Sequence, residues 1–243
     1  MKKECLFKVS VLVMSLGTLT TVAKAEEPAK SISIEAGADV VSSYIWRGQD
    51  CGGFSIQPSL TIRHETSGLS FNVWASAELF EGSEWANMNE FDLALSWSKG
   101  GLSLGLTDYN FCTGKYFGDW TFNGESSHNL EANLGYDFGP LALSWNTMLT
   151  GSDHRINNKG ELTRNYSTYF EISAPWKLAG VEGSAAIGAS LWDDAFTAVD
   201  NESFNICNIS VTATKEFFKL PFSASVIANP QTDKVYFVIG VTL

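Results

Sequence analysis

The segment LSFNVWASAELF, residues 69–80, carries the pattern that decides the fold. Leu69, Phe71, Val73, Ala75, Ala77 and Leu79 share one parity, while Ser70, Asn72, Trp74, Ser76 and Glu78 share the other. Successive side chains of a β-strand point to opposite faces, so the segment predicts a strand that is apolar on one side and polar on the other. About ten residues of such alternation suffice to cross a bilayer at a tilt, the apolar face toward lipid and the polar face toward a wet interior.

The same rhythm recurs along the chain. Residues 128–138 set Leu130, Ala132, Leu134 and Tyr136 against Asn129, Glu131, Asn133 and Asp137. Residues 165–176 set Tyr166, Phe170, Ile172 and Trp176 against Asn165, Ser167, Glu171 and Ser173. Segments at 31–47, 54–65, 88–98, 101–111, 140–150, 180–192, 203–215, 220–229 and 234–243 complete an expectation of about twelve strands. An even number is what an all-β, antiparallel up-and-down transmembrane β-barrel requires. Within 203–215, Phe204 and Ile206 fall on one parity and Ile209, Val211 and Ala213 on the other, which predicts a bulge near Cys207 and Asn208.

The connections sort into two classes. Those at 65–68, 98–101, 138–140, 177–180 and 217–219 are tight, and most carry Gly or Pro. Those around 48–53, 81–87, 112–127, 151–162, 193–202 and 230–233 read as the longer set, and the two sets alternate. Barrels of the outer membrane have short periplasmic turns and long extracellular loops, so the alternation also predicts orientation. Aromatic side chains favour the membrane–water interface. Trp97, Tyr136 and Trp176 flank tight turns, and Trp46, Tyr109, Phe111 and Trp192 flank long loops, so two aromatic girdles are expected.

Ahead of this domain, Lys2, Lys3 and Lys8 precede an apolar run from Val9 to Leu16 and the sequence Ala23-Lys24-Ala25. A basic start, a short apolar run and a small-residue cleavage site predict a secretory signal peptide over 1–25, leaving 26–243 as one outer-membrane barrel domain. Removing the leader takes away four lysines and one glutamate, so the formal charge falls from -11 to about -14. Such acidity excludes the basic footprint that nucleic-acid binding needs. The last strand, with Phe237, Ile239, Val241 and Leu243 on one parity, resembles an outer-membrane assembly signal, with Leu243 in place of the usual terminal aromatic.

Residues 41–76 read VSSYIWRGQDCGGFSIQPSLTIRHETSGLSFNVWAS. Through Tyr44, Trp46, Arg47 and Gly48, then Gln57-Pro58, then Trp74, this stretch resembles the TorF-like porins, a family of outer-membrane proteins. The likeness covers the N-terminal third, continues as strand rhythm through LGLTDYNF at 104–111, and implies a small barrel with a transport role. It implies no catalytic residues.

Parity also predicts what lines the interior. Taking 31–47 as one strand puts Ile32, Ile34, Tyr44 and Trp46 outward and Glu35, Asp39 and Arg47 inward, with Arg47 near the outer mouth beside acidic partners. Two readings of Arg47 stay open: a charged constriction that selects solutes, or a satisfied ion pair that plugs a narrow barrel. The same parity sends Arg63, Glu65, Glu78, Glu90, Asp92, Glu131, Asp137, Glu171 and Glu182 inward, and such a lining would favour cations. Cys51 and Cys112 fall in two loops on one side and could form a disulfide, whereas Cys207 reads as a small apolar residue. No C-x-x-C, H-E-x-x-H, Walker or G-x-S-x-G pattern is present, so no metal, cofactor or catalytic set is expected. His64 and His128 belong to opposite ends of the barrel, and Asp153-His154 with Asp193-Asp194 have no supporting nucleophile.

The expectation is therefore a monomeric barrel in the bacterial outer membrane, in contact with its lipid, that passes small polar solutes. Its first alternative is a closed structural or ligand-binding barrel that uses Tyr116, Phe117, Trp120 and Phe122 of the 112–127 loop. The second is a soluble periplasmic carbohydrate-binding β-sandwich.

Overall fold

The computed structural model describes residues 31–80, 89–112, 128–156, 159–191 and 204–243. The expected signal peptide and most of the long loops, with Trp192, the Asp193-Asp194 pair and the aromatics of 113–127, lie outside the described residues. In chain order the described strands are β1 (Ile32–Val41), β2 (Tyr44–Trp46), β3 (Gln49–Gly52), β4 (Ser55–His64), β5 (Leu69–Glu78), β6 (Asn89–Lys99), β7 (Leu102–Cys112) and β8 (His128–Asp137). They continue with β9 (Ala142–Met148), β10 (His154–Ile156), β11 (Leu162–Arg164), β12 (Thr168–Leu178), β13 (Val181–Ser190), β14 (Asn205–Phe217), β15 (Leu220–Asn229) and β16 (Lys234–Thr242).

Twelve of these close into one antiparallel barrel in chain order, and the pairs β2–β3 and β10–β11 form separate two-stranded hairpins. The barrel is inside-out relative to a soluble protein. Ile34, Ile62, Phe71, Leu95, Leu134, Ile187 and Val226 point outward and are exposed, while Ser70, Asn72, Asp92, Glu131, Asn133, Asn146 and Ser225 are buried within. Closure pairs the backbone from strand to strand around the ring, tapering only at the short β1–β16 seam, and is the β arrangement that lipid permits. This overturns the β-sandwich alternative, whose strands would share one apolar core between two sheets.

Alternation set the strand faces because each register slip would turn the apolar row inward. In β5, for example, Leu69 and Phe71 are exposed on the outside, and Ser70, Asn72, Trp74 and Ser76 are buried inside. Three tight connections, at Gly100-Gly101, Ala179-Gly180 and Phe218-Lys219, are two-residue turns with positive φ at both positions. That geometry matches the right-handed twist of the flanking strands. The connection at 230–233, read as a longer loop, is a four-residue turn no longer than 65–68.

Two local features depart from ideal strands. Between β13 and β14 the register shifts, because Gly188 faces Asn208 while Ala189 faces Ile206. Cys207 is the extra residue of this bulge, so Cys207 and Asn208 are both buried. The seam between β1 and β16 is short: only Asp39, Val40 and Val41 pair, with Thr242, Val241 and Gly240, whereas β1 and β4 pair over ten residues.

The largest departure from the sequence expectation is at the first strand. A single strand over 31–47 is not formed. The barrel strand ends at Val41, and Tyr44–Gly52 folds back as the β2–β3 hairpin, with Arg47 (φ 51°) and Gly48 (φ 80°) at its turn. Parity counted through 42–43 therefore fails, and Trp46 does not join an outer girdle. It packs on a cluster of buried Tyr109, Met148, Tyr169 and Cys207, against which Phe111 also lies. Tyr109 and Phe111 likewise face the cluster and not lipid.

Candidate functional site

The loop end of the barrel is filled by the β2–β3 hairpin. Its turn carries Arg47 across to β8, where the guanidinium donates to both carboxylate oxygens of Glu131, at 2.6 and 2.9 Å. Glu131 is fully buried and also accepts from the Tyr109 hydroxyl and the Asn133 amide, both at 2.8 Å. A two-point arginine–carboxylate contact fixes direction as well as distance. The Arg47 guanidinium also sits 4.5 Å from the Trp46 ring centroid and 4.6 Å from that of Tyr169. Burial is the largest single influence and works against the guanidinium's charge, yet the attraction and hydrogen bonding of Glu131, with Tyr109 and Tyr169 beside it, together outweigh it, and the side chain holds its proton more tightly than in water.

The neighbouring turn residue completes the docking. Gly48 approaches the bulge so closely that a Cβ there would lie 2.0 Å from the Cys207 carbonyl oxygen. Its own carbonyl accepts from the Asn229 amide at 3.1 Å. At the hairpin's base, Glu78 accepts from the Gly53 backbone N–H at 3.2 Å. One hairpin thus contacts β5, β8, β12, β14 and β15.

Toward the short-turn end, the hairpin roofs a cavity of about 300 Å³. Tyr44, Trp46, Arg47 and Tyr169 border it above, and Gln57, Trp74, Ser96, Asn133, Asn146 and Thr212 stand among its walls. An amide row stiffens one wall: Thr107 donates to Asn133, and Asn133 donates to Asn146 at 3.0 Å.

The expected inward residues are distributed unevenly. Glu90 and Asp92 are buried neighbours on β6. Glu171 accepts from the Tyr169 hydroxyl and, at 3.3 Å, from the Asn208 amide. Asp39 accepts from Thr242 near the seam, and Glu65 accepts from Ser33 at the short-turn end. Glu35 is exposed and Arg63 half-buried on the parity of Asp39 and Gln57, respectively. Glu182 pairs with Lys177 across the β12–β13 turn, and Asp137 caps its own turn by accepting from the Gly139 N–H. The structure thus gathers Arg47, Glu131 and Glu171 around the hairpin and leaves Glu35, Arg63, Glu65 and Glu182 toward the opposite rim.

Outward, Trp97 shares a face with exposed Leu69 and Leu104. Tyr136 packs on Phe138 with the rings tilted and their centroids 4.5 Å apart, and Trp176 shares the parity of exposed Ile172, beside Gly183. Cys51, one half of the possible loop disulfide, carries a free thiol in the hairpin, and the Cys112 side chain lies outside the described residues. Burial pushes the Cys51 thiol up, and the Glu90 carboxylate adds to the effect. His64 contacts Ser67 in a short turn, and His128 contacts Asp108 at the opposite end, each at 2.8 Å. Asp153 is occupied by the Ser167 backbone and hydroxyl.

Tyr109, Tyr169 and Met148 are parts of this interior that sequence reasoning missed. Leu102, Leu104 and Leu106 fix the outward parity of β7, and continuing it would have turned Tyr109 and Phe111 inward.

No protein-family model matches the chain, and no curated protein matches it, so the TorF-like resemblance is not confirmed. Among solved structures it is similar to an outer membrane channel from Pseudomonas putida F1, with 11% identity, 87% of this chain and 92% of that chain covered, and a TM-score of 0.39. It is also similar to OmpF of Salmonella typhi in complex with daunomycin, with 10% identity, coverage of 87% and 96%, and a TM-score of 0.40. The chain's own geometry decides its setting: a closed barrel, apolar outside and polar inside, is a protein of the bacterial outer membrane.

Proposed function

We propose that the protein is a porin-like channel that lets small polar solutes diffuse passively, as a monomer, with a preference for cations. The observation that carries this reading is the polar, cavity-bearing interior below the hairpin. Acidic groups dominate the interior wall: Glu35, Asp39 and Glu171 against Arg47, already committed to Glu131, and Arg63. An excess of fixed carboxylates raises the local concentration of cations and repels anions. Reconstitution in planar bilayers tests it. A current that reverses toward the cation equilibrium potential under a salt gradient is the expected result, and a reversal toward the anion potential would end the selectivity claim.

The docked hairpin supports a second reading, a closed barrel that binds a ligand at its mouth. That reading requires a folded, inserted protein that passes no current.

A further inference from the structure

We infer that the tip of the β14–β15 hairpin is a docking site for the phosphate of an anionic phospholipid, received by Lys215 and Lys219 in the leaflet at the short-turn end of the barrel.

Parity supplies the first observation. Val211, Lys215 and Phe217 share the outward face of β14, and Lys215 stands opposite exposed Phe222 of β15. Among the described strand residues, the Lys, Arg, Asp and Glu side chains on the lipid-facing parity at this end are two, Lys99 and Lys215. The chain carries 27 acidic residues against 16 basic ones, so composition alone would not place lysines there without acids. The nearby carboxylates fall on the other face: Glu182 and Glu216 share the inward parity of Thr212, and Glu182 pairs with Lys177. No ion pair among the described residues holds Lys215. Its ammonium lies 5.4 Å from the centroid of the Phe217 ring. An ammonium has three donors and a ring face covers one side of it, so donors remain for an anion.

Depth is the second observation. Trp176, Phe217 and Phe222 mark the interfacial level, where lipid headgroups lie. A lysine whose stem follows the apolar wall carries its charge to that level. Phe218, between Lys215 and Lys219, is 96% exposed, so the protein leaves this ring uncovered. A headgroup region supplies the apolar cover that water does not. The wall itself offers room for the lipid's chain. One rung deeper, Ala213 and Ala224 face each other, bounded by the Trp176 ring over Gly183 on one side and by exposed Ile239 on the other. Two lysines at the headgroup level, above a shallow apolar trough, match a phosphate joined to an acyl chain.

The test uses the full protein inserted in phosphatidylcholine vesicles that carry brominated phosphatidylglycerol or brominated phosphatidylcholine, read by quenching of tryptophan fluorescence. Trp176, beside the trough, is the reporter. Phosphatidylglycerol should show about fivefold higher apparent affinity, the worth of one basic residue at a membrane surface. Lys215→Gln/Lys219→Gln should bring the ratio close to one. Lys99→Gln removes the other lipid-facing lysine and should leave the ratio unchanged. A ratio of one in the unsubstituted protein, or a ratio unaffected by losing Lys215 and Lys219, overturns the site. An equal loss in Lys99→Gln overturns it as well, because the preference would then be diffuse surface charge. A Phe218→Cys variant that cross-links as a dimer in the same vesicles would put a second copy on this face in place of lipid, and the site would fall.

Discussion

Arg47 and Glu131 show how a charge can be kept inside a barrel wall. Each is enclosed, and each is satisfied by the other and by surrounding donors and rings. Removing one partner strands the other without water, whereas replacing both with matched apolar groups often costs little. Arg47→Met alone should therefore destabilise the barrel by about 3–5 kcal/mol. The double variant Arg47→Met/Glu131→Leu should recover most of that loss. Urea unfolding followed by tryptophan fluorescence checks both. If the two single losses simply add in the double variant, Arg47 and Glu131 are not coupled and the hairpin is held by its other contacts.

At the scale of elements, the turn at Phe218-Lys219 holds two non-glycine residues at positive φ, 54° and 67°. L-residues pay a steric penalty in this region, and Asn-Gly is the pair best suited to such a turn. The substitution Phe218→Asn/Lys219→Gly should raise stability by about 1 kcal/mol, read as a higher urea midpoint at constant slope. An unchanged midpoint would mean that exposed Phe218 contributes enough membrane anchoring to offset the strain. The element scale is also where the sequence was read well and badly. Strands such as β5 and β8 were legible because an apolar row facing lipid and a polar row facing water impose a strict period of two. The bulge at Cys207 was legible because it reverses that period. The hairpin was not. Ser42 and Ser43 continue an acceptable strand pattern, and what turns the chain inward is a contact with Glu131, 84 residues away. Tertiary partners of that kind leave no local periodicity.

The molecule as a whole is a ring of twelve strands in which eleven neighbour pairs are consecutive along the barrel and one, β1 with β16, joins its two ends. That seam has three paired positions, and a few further contacts support it: Leu243 and Ala38 exchange backbone hydrogen bonds, and Ser42 meets Ile239. Hydrogen exchange should accordingly be faster at the amides of Ala38, Ser42 and Leu243 than at the β1–β4 interface. Equal protection on both sides of β1 would show that the seam opens no more readily than the wall.

The seam also sets the order of assembly. Eleven pairings can form as local hairpins with little loss of chain freedom, but the last must bring together residues about 200 positions apart. Folding should then proceed by adding neighbours to a growing curved sheet and finish with this single long-range step. Linking the ends removes that step's entropy in advance. An oxidised Asp39→Cys/Thr242→Cys variant, bridging a facing pair, should gain up to about 5 kcal/mol and refold into liposomes faster than its reduced form. The three rungs that look weakest in the finished barrel are the ones whose timing decides when it becomes one.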